Sequence, residues 1–446
     1  MPATPADAVI LNELLDRGSR VDPEAAVFAL PDSFGGWFDL TGPEFAGRVR
    51  ALARGLAAAG LHPGDALAVL CSTRFEAVLV DFAAAAVGVV VVPLSPSSSQ
   101  SELAALLDEE GVRAVVVETA RDFARIDELQ GDLPLVAEVW QIGLGDLDKL
   151  AASGRDTPDD AFDGLVAEVT PDSVAVVLGE HRLTQRDLSS RALALASVLG
   201  DALGAGRQLL QHLPATDVHA RVLTLAAVAT GSRIAQLADP GRLVETMAAF
   251  KPTLLMAYPS TLRDIDETVH ARAEASGRAT ALRQALEVAV EYAEALEPGP
   301  VPRGLKTRFA VADTLVLRGI RKAAGGRLST VVAISTEEAV TLGMRLQLRA
   351  LDIRCLEGYG DRATGGLVTL ERADAPFTRP VGAVGPPLPG IEVSIFDEGS
   401  VAFRGVGVGG GPQEWLVRDD EGTLVDGVLV LEGRDPGAPA PARSAE

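Results

Sequence analysis

Apolar positions in the first third of the chain follow two alternating patterns. Stretches in which they recur every three or four residues (GPEFAGRVRALARGLAAAGL, FEAVLVDFAAAAVG, SELAALLDEEG) read as amphipathic helices. Between them lie short, nearly continuous apolar runs (ALAVLC, VVVVPL, AVVVET) of the kind that fill buried strands. This helix and strand alternation predicts a parallel sheet covered by helices. Gly60, Gly88 and Gly111 fall where helical runs end, positions that favour a residue with left-handed backbone.

A loop rich in Asp, Gly and Pro follows over residues 154–163, and the apolar run SVAVVL after it is expected to open a second α/β lobe. Residues 267–296, rich in Ala, Glu and Arg, read as a long helical hairpin. From Val381 the texture changes to short alternating strands (IEVSIF, SVAFRG, EWLVRD, GVLVLEG) between Gly and Asp turns, which predicts a small antiparallel sheet or barrel. The expected organisation is therefore an α/β lobe over 1–165, a second with the helical hairpin over 166–380, a small β subdomain over 381–434 and a disordered Pro/Ala tail over 435–446. The most apolar run, residues 77–94, contains Asp81 and Pro93 and divides into a helix and a strand better than it spans a membrane.

Composition narrows the function. A chain of 446 residues, 47% hydrophobic, can bury a large core. Its net charge of -22 argues against nucleic acid or an anionic membrane as main partner, because the long-range field repels both. Basic charge is almost all arginine. The lysines are Lys149, Lys251, Lys306 and Lys322, so chemistry that needs a lysine has few candidates. Cys71 and Cys355 lie in apolar runs and read as reduced core thiols of an intracellular protein. The start, MPATPADAVILNELL, lacks a basic segment followed by an apolar one, so no secretory signal is expected. The expected location is cytoplasmic, with peripheral contact at a membrane left open.

The stretch from GLAAAGLHPGDALAVL to AVVVET resembles, nearly position by position, the opening lobe of AMP-forming long-chain acyl-CoA synthetases. LPATDVHARVLTLAAVATG, FKPTLLMAYPSTL, LRGIRKAAGGRLSTVVAIS, LEGYG, GAVGPPLPGIEVSI and the closing DG…LEGR then follow in that family's order, from about residue 40 to residue 434. The resemblance implies a two-lobed α/β body with a small C-terminal β subdomain. It also implies chemistry in which ATP and a fatty acid form an acyl-adenylate before a mobile lid domain admits coenzyme A.

At the sites themselves the sequence departs from the family. Its Ser/Thr/Gly-rich phosphate loop follows a strand, so that backbone N–H groups cradle the ATP phosphates. Here only Glu180, His181 and Arg182 separate Gly179 from Leu183, roughly eight residues fewer, and a tight turn is expected. The family's Y-G-x-T-E reads Tyr359, Gly360, Asp361, Arg362, Ala363, so an alanine stands where the Mg²⁺ carboxylate belongs. Asp361 reads as a solvated loop residue. The S-G-G turn becomes Ser335, Thr336, Glu337, and the histidine of "PLAH" becomes Asp217, with His219 two places on expected as an ordinary surface or core residue. The glycine run 405–411 reads as a flexible loop.

Three positions match the family's nucleotide contacts: Tyr359, against adenine; Asp420, on the ribose hydroxyls; and Arg434, at the hinge to the lid. The sequence ends twelve residues after Arg434, so the lid domain and its adenylation lysine are expected to be absent. Losing the loop, the Mg²⁺ carboxylate and the lysine together removes on the order of 6–10 kcal/mol of transition-state stabilisation. The expectation is thus a catalytically degenerate homologue with no catalytic residue, no metal and no cofactor, although the family uses ATP, Mg²⁺ and coenzyme A. Its expected partners are a fatty acyl ligand and a homo- or hetero-oligomer with an active relative, without nucleic acid or a transmembrane segment. The alternative is an active ATP-dependent fatty-acid–CoA ligase that borrows its lid from another chain.

Overall fold

The computed structural model describes residues 9–434 except 33, 34, 130, 132, 297–299, 376, 378, 379, 381, 397, 398 and 410. The tail expected to be disordered lies outside the described residues. Two large sheets and one small one carry the fold, as the alternating pattern implies. The first has six strands in the order Glu138–Gln141, Val112–Val117, Ala66–Leu70, Val90–Leu94, Val174–Leu178, His181–Thr184, all parallel but the last. The second has eight, in the order Gly366–Leu370, Arg354–Asp361, Thr330–Ile334, Leu254–Ala257, Gln208–Gln211, Arg233–Gln236, Ala26–Pro31, Trp37–Thr41. Its interior is parallel and an antiparallel hairpin closes each edge.

Sheet membership cuts across the boundary expected at residue 165. SVAVVL does not open the second sheet. Val176 pairs with Val91, and the strand completes the first sheet, while the early hairpin 26–41 crosses to the second. The period-2 pattern of a strand says which face is buried but not which distant strand it pairs with. The small sheet (Ile391–Ile395, Ser400–Gly405, Leu416–Val425, Val428–Leu431) is antiparallel throughout.

Between the two large sheets lies a shared layer of helices, Leu11–Val21, Gly42–Ala58, Phe75–Ala86, Gln185–Leu199 and Val218–Thr230. Leu67 and Val69 of the first sheet and Leu254, Met256, Val332 and Ile334 of the second point into this single cluster. Their neighbours Ala66, Ala68 and Leu70 face one outer core, and Leu255, Ala257, Val331 and Ala333 another. A helix covered on both sides must be apolar nearly all round, which explains the alanine-rich run after residue 77. That run forms the helix Phe75–Ala86 and the strand Val90–Leu94, and among the described residues no helix is long and apolar enough to cross a membrane. Cys71 and Cys355 are both free.

Candidate functional site

The strand Val174–Leu178 turns back through Gly179 and Glu180 into His181–Thr184, with Leu178 opposite His181. Gly179 takes φ +62°, as the first central residue of a two-residue hairpin favours. Thr184 then caps the helix Gln185–Leu199. Asp187 N–H donates to its hydroxyl at 3.1 Å, and Thr184 N–H donates to the Asp187 carboxylate at 2.8 Å. Strand, turn, strand and cap use every residue between Leu178 and the helix, so no backbone is left over to cradle a phosphate. A side-chain carbon added at Gly179 would come within 3.2 Å of Arg362 Nη1, which places that guanidinium over the turn.

The structure brings Tyr359, Asp420 and Arg434 together although they are scattered in sequence. Tyr359 ends fully buried, its ring 5.5 Å from Phe403 in a stacked arrangement, and its hydroxyl donates to Asp420 Oδ2. Arg434 donates to the other carboxylate oxygen at 2.5 Å. Burial, and then the Asp420 carboxylate, push the Tyr359 phenol above its ordinary range. The ring face that the resemblance assigns to adenine lies against Phe403, and the oxygens assigned to ribose each already accept a hydrogen bond from the protein.

Asp361 is not the solvated loop residue the sequence suggests. It ends a strand and forms an ion pair with Arg418, and its backbone N–H donates to Thr364 Oγ1 at 2.7 Å. Burial alone would lower the Arg418 pKa, but the carboxylate of Asp361 raises it. Behind these residues Arg191 is buried and donates to the carbonyls of Thr364 (3.2 Å) and Val406 (3.1 Å); burial pulls its pKa down to about 10. Part of the glycine run is likewise packed rather than free: Gly407 lies against Asp187, and Gly409 N–H donates to the Ala363 carbonyl at 2.9 Å, whereas Gly411 has open space around it.

Asp217, in place of the family's histidine, caps the helix Val218–Thr230 by accepting from the N–H groups of His219 (2.7 Å) and Ala220 (3.2 Å). The hydroxyl of Tyr258 donates to its second oxygen at 2.7 Å. His219 is buried, with Nδ1 3.1 Å from Asp217 and Nε2 3.1 Å from the Gly360 carbonyl oxygen, which also accepts from the Thr336 hydroxyl. Ser335 donates to buried Glu357 at 2.8 Å, and Glu357 pairs with Arg345 at 3.2 Å. The turn that is open glycine in the resembled family is closed here by side chains bonded inward. Sequence reasoning missed Arg191, Arg418 and Tyr258. Arg418 alone carried a signal, since it stands two residues before Asp420 on one strand and therefore on the same face.

A triphosphate does not fit this cleft. Its loop is a hairpin, its ribose carboxylate is engaged, and its metal position is Ala363. Among the described residues, no group of three or more His, Cys, Asp or Glu side chains could hold a metal ion.

Two helix-covered sheets with a small antiparallel sheet beside the cleft are the architecture of the N-terminal domain of adenylate-forming enzymes. The chain belongs to the AMP-binding enzyme family, which matches residues 15–163 and 206–410; the stretch between, 164–205, contains the hairpin. Among curated proteins it is 29% identical to the long-chain-fatty-acid–CoA ligase FadD15 of Mycobacterium bovis, over 93% of this chain and 72% of that one. Among solved structures, VinN in complex with L-aspartate superposes with a TM-score of 0.71 at 19% identity, over 95% of this chain and 98% of the other. The N-terminal domain of FACL13 from Mycobacterium tuberculosis superposes with a TM-score of 0.69 at 16% identity, over 95% and 100%.

Proposed function

We propose that this chain is an acyl-CoA synthetase homologue that has lost adenylation and keeps acyl binding, acting as a partner or regulator in fatty-acid metabolism. One observation carries the reading: the Gly179–Glu180 hairpin, with Arg362 packed over it, stands in place of the phosphate loop. Transition-state charge on phosphorus needs preorganised donors, and each one lost costs about 10²–10³ in rate. The nearby substitutions at Ser335–Glu337, Asp217 and Ala363 act in the same direction. An apolar cavity of about 90 Å³ on the outer face of the eight-stranded sheet, walled by Leu255, Val331, Ile265 and Met344, has room for the end of an alkyl chain but not for a whole one. The likeness to a long-chain-fatty-acid–CoA ligase agrees with that choice of ligand.

Two measurements test it. Palmitate-dependent exchange between ATP and pyrophosphate is expected to stay at the level of a protein-free blank, and Mg-ATP to leave the melting temperature unchanged. Native mass spectrometry of the purified chain is expected to show a retained acyl ligand. Exchange driven by fatty acid, alone or on mixing with an active relative, overturns the loss of adenylation.

A further inference from the structure

Outside the cleft, a large concavity lies on the helical face of the eight-stranded sheet. It is a groove of about 710 Å³ between the helices Pro259–Ala275 and Ala279–Glu294 and the helical segment from Arg303 to Ala323. That volume is in the range of about 300–1,000 Å³ typical of small-molecule sites. The floor is apolar (Leu282, Ala285, Val316, Ile320), and Val311 and Leu315 stand exposed at its edge, Leu315 by 77%. Singly exposed apolar side chains are ordinary, but these two lie four residues apart on one helical segment at the rim of an apolar groove and extend its apolar surface.

The charges around this groove run against those of the molecule. In a chain of net charge -22, the ionisable residues that line it, among the described residues, are Arg272, Arg278 and Arg308. Arg308 is paired with Glu291 at 2.9 Å, whereas Arg272 and Arg278 make no ion pair among the described residues. The groove adjoins the apolar cavity of about 90 Å³: Val269, Ile320 and Ala323 line both. The one ionisable residue lining that inner cavity is a carboxylate, Asp266. An anion pushed to the inner end would meet a like charge in an apolar setting, while at the outer end it meets two guanidinium groups that are in no ion pair among the described residues.

We infer that this groove binds a single-chain anionic amphiphile with its alkyl tail running inward past Ile320 and its head group outside, on Arg272 and Arg278. The inference rests on the acyl-binding reading above and adds the place and the direction. A monomer fits better than a bilayer surface. The site is concave with walls on both sides, and the net charge of the chain repels an anionic membrane.

Isothermal titration of the full chain with laurate and with 1-dodecanol, both kept monomeric, tests it on two variants. R272Q/R278Q removes the head-group anchor. Gly319→Trp fills the groove, and a side chain at Gly319 starts into open space, so the fold tolerates it. The wild type is expected to bind both probes. R272Q/R278Q is expected to lose laurate affinity by about 10–100-fold, from one charged hydrogen bond per arginine, and to keep dodecanol within about twofold. Gly319→Trp is expected to weaken both probes at least tenfold, with a melting temperature near that of the wild type.

Laurate binding that is the same in all three proteins overturns the groove but leaves acyl binding standing. No binding of either probe by the wild type removes both. Arginine-dependent cosedimentation with phosphatidylglycerol vesicles, without monomer binding, makes the face a membrane contact and overturns the proposal.

Discussion

Asp217 stands where the resembled family has a histidine, and the exchange turns a position beside the reaction into a brace. Its carboxylate caps one helix, holds the His219 ring and receives the Tyr258 hydroxyl. Burial by itself would raise its pKa, but the hydrogen bonds from His219 and Tyr258 outweigh burial and hold it at about 2, against 3.8 when unfolded. A carboxyl depressed on folding contributes stability that is present above its unfolded pKa and is lost as pH falls through the folded value. The window is therefore from about pH 4 down to about pH 2. Asp217→Asn is expected to cost about 3 kcal/mol at neutral pH and to flatten the fall in stability across that window, read by urea unfolding at several pH values. An equally steep acid limb in the variant would move the effect to other carboxylates.

At the scale of elements, the hairpin over 174–184 decides what the cleft can do, and its turn depends on one glycine. Gly179 has positive φ, and any side chain there also meets Arg362. Gly179→Ala is expected to destabilise the chain by about 1 kcal/mol, and Gly179→Val by more, because a β-branched residue disfavours left-handed backbone. Thermal unfolding checks the order. This element also marks how far the sequence could be read. The shortness of the segment between Gly179 and Leu183, and hence the want of a phosphate loop, was plain from spacing. That the residues after the turn pair back as a strand was not, since HRLT lacks a strand's alternation and owes its extended form to the neighbour it pairs with. The same limit applies to the site. Tyr359, Asp420 and Arg434 stand far apart in the sequence, and their engagement with one another is tertiary and left no local mark. The sequence reading of Asp361 as solvated failed because its partner, Arg418, is 57 residues away.

At the scale of the whole molecule, the shared helix layer makes two sheets one folding unit. Both sheets bury one face in the same cluster, so neither can open without exposing the other's core. Three tryptophans report on this, one per sheet: Trp140 in the six-stranded sheet, Trp37 in the eight-stranded sheet, and Trp415 beside the small one. Single-tryptophan variants are expected to share one denaturant midpoint for Trp37 and Trp140, and separate midpoints would make the lobes independent. Asp81 and Arg221 tie the layer together, an ion pair between the helix on one sheet and the helix on the other. Burial pushes the Asp81 carboxyl up despite Arg221, so the pair does not fully offset its own desolvation. Removing one partner strands the other: Arg221→Met is expected to cost about 3–5 kcal/mol. A cavity of about 40 Å³ beside the pair leaves room for larger apolar groups. The double variant Asp81→Leu with Arg221→Met is then expected to return to within about 1 kcal/mol of the wild type, because apolar packing replaces two desolvated charges. If the double variant instead loses as much as the two single changes summed, the pair is a net source of stability and the lobes are held by charge as well as by packing.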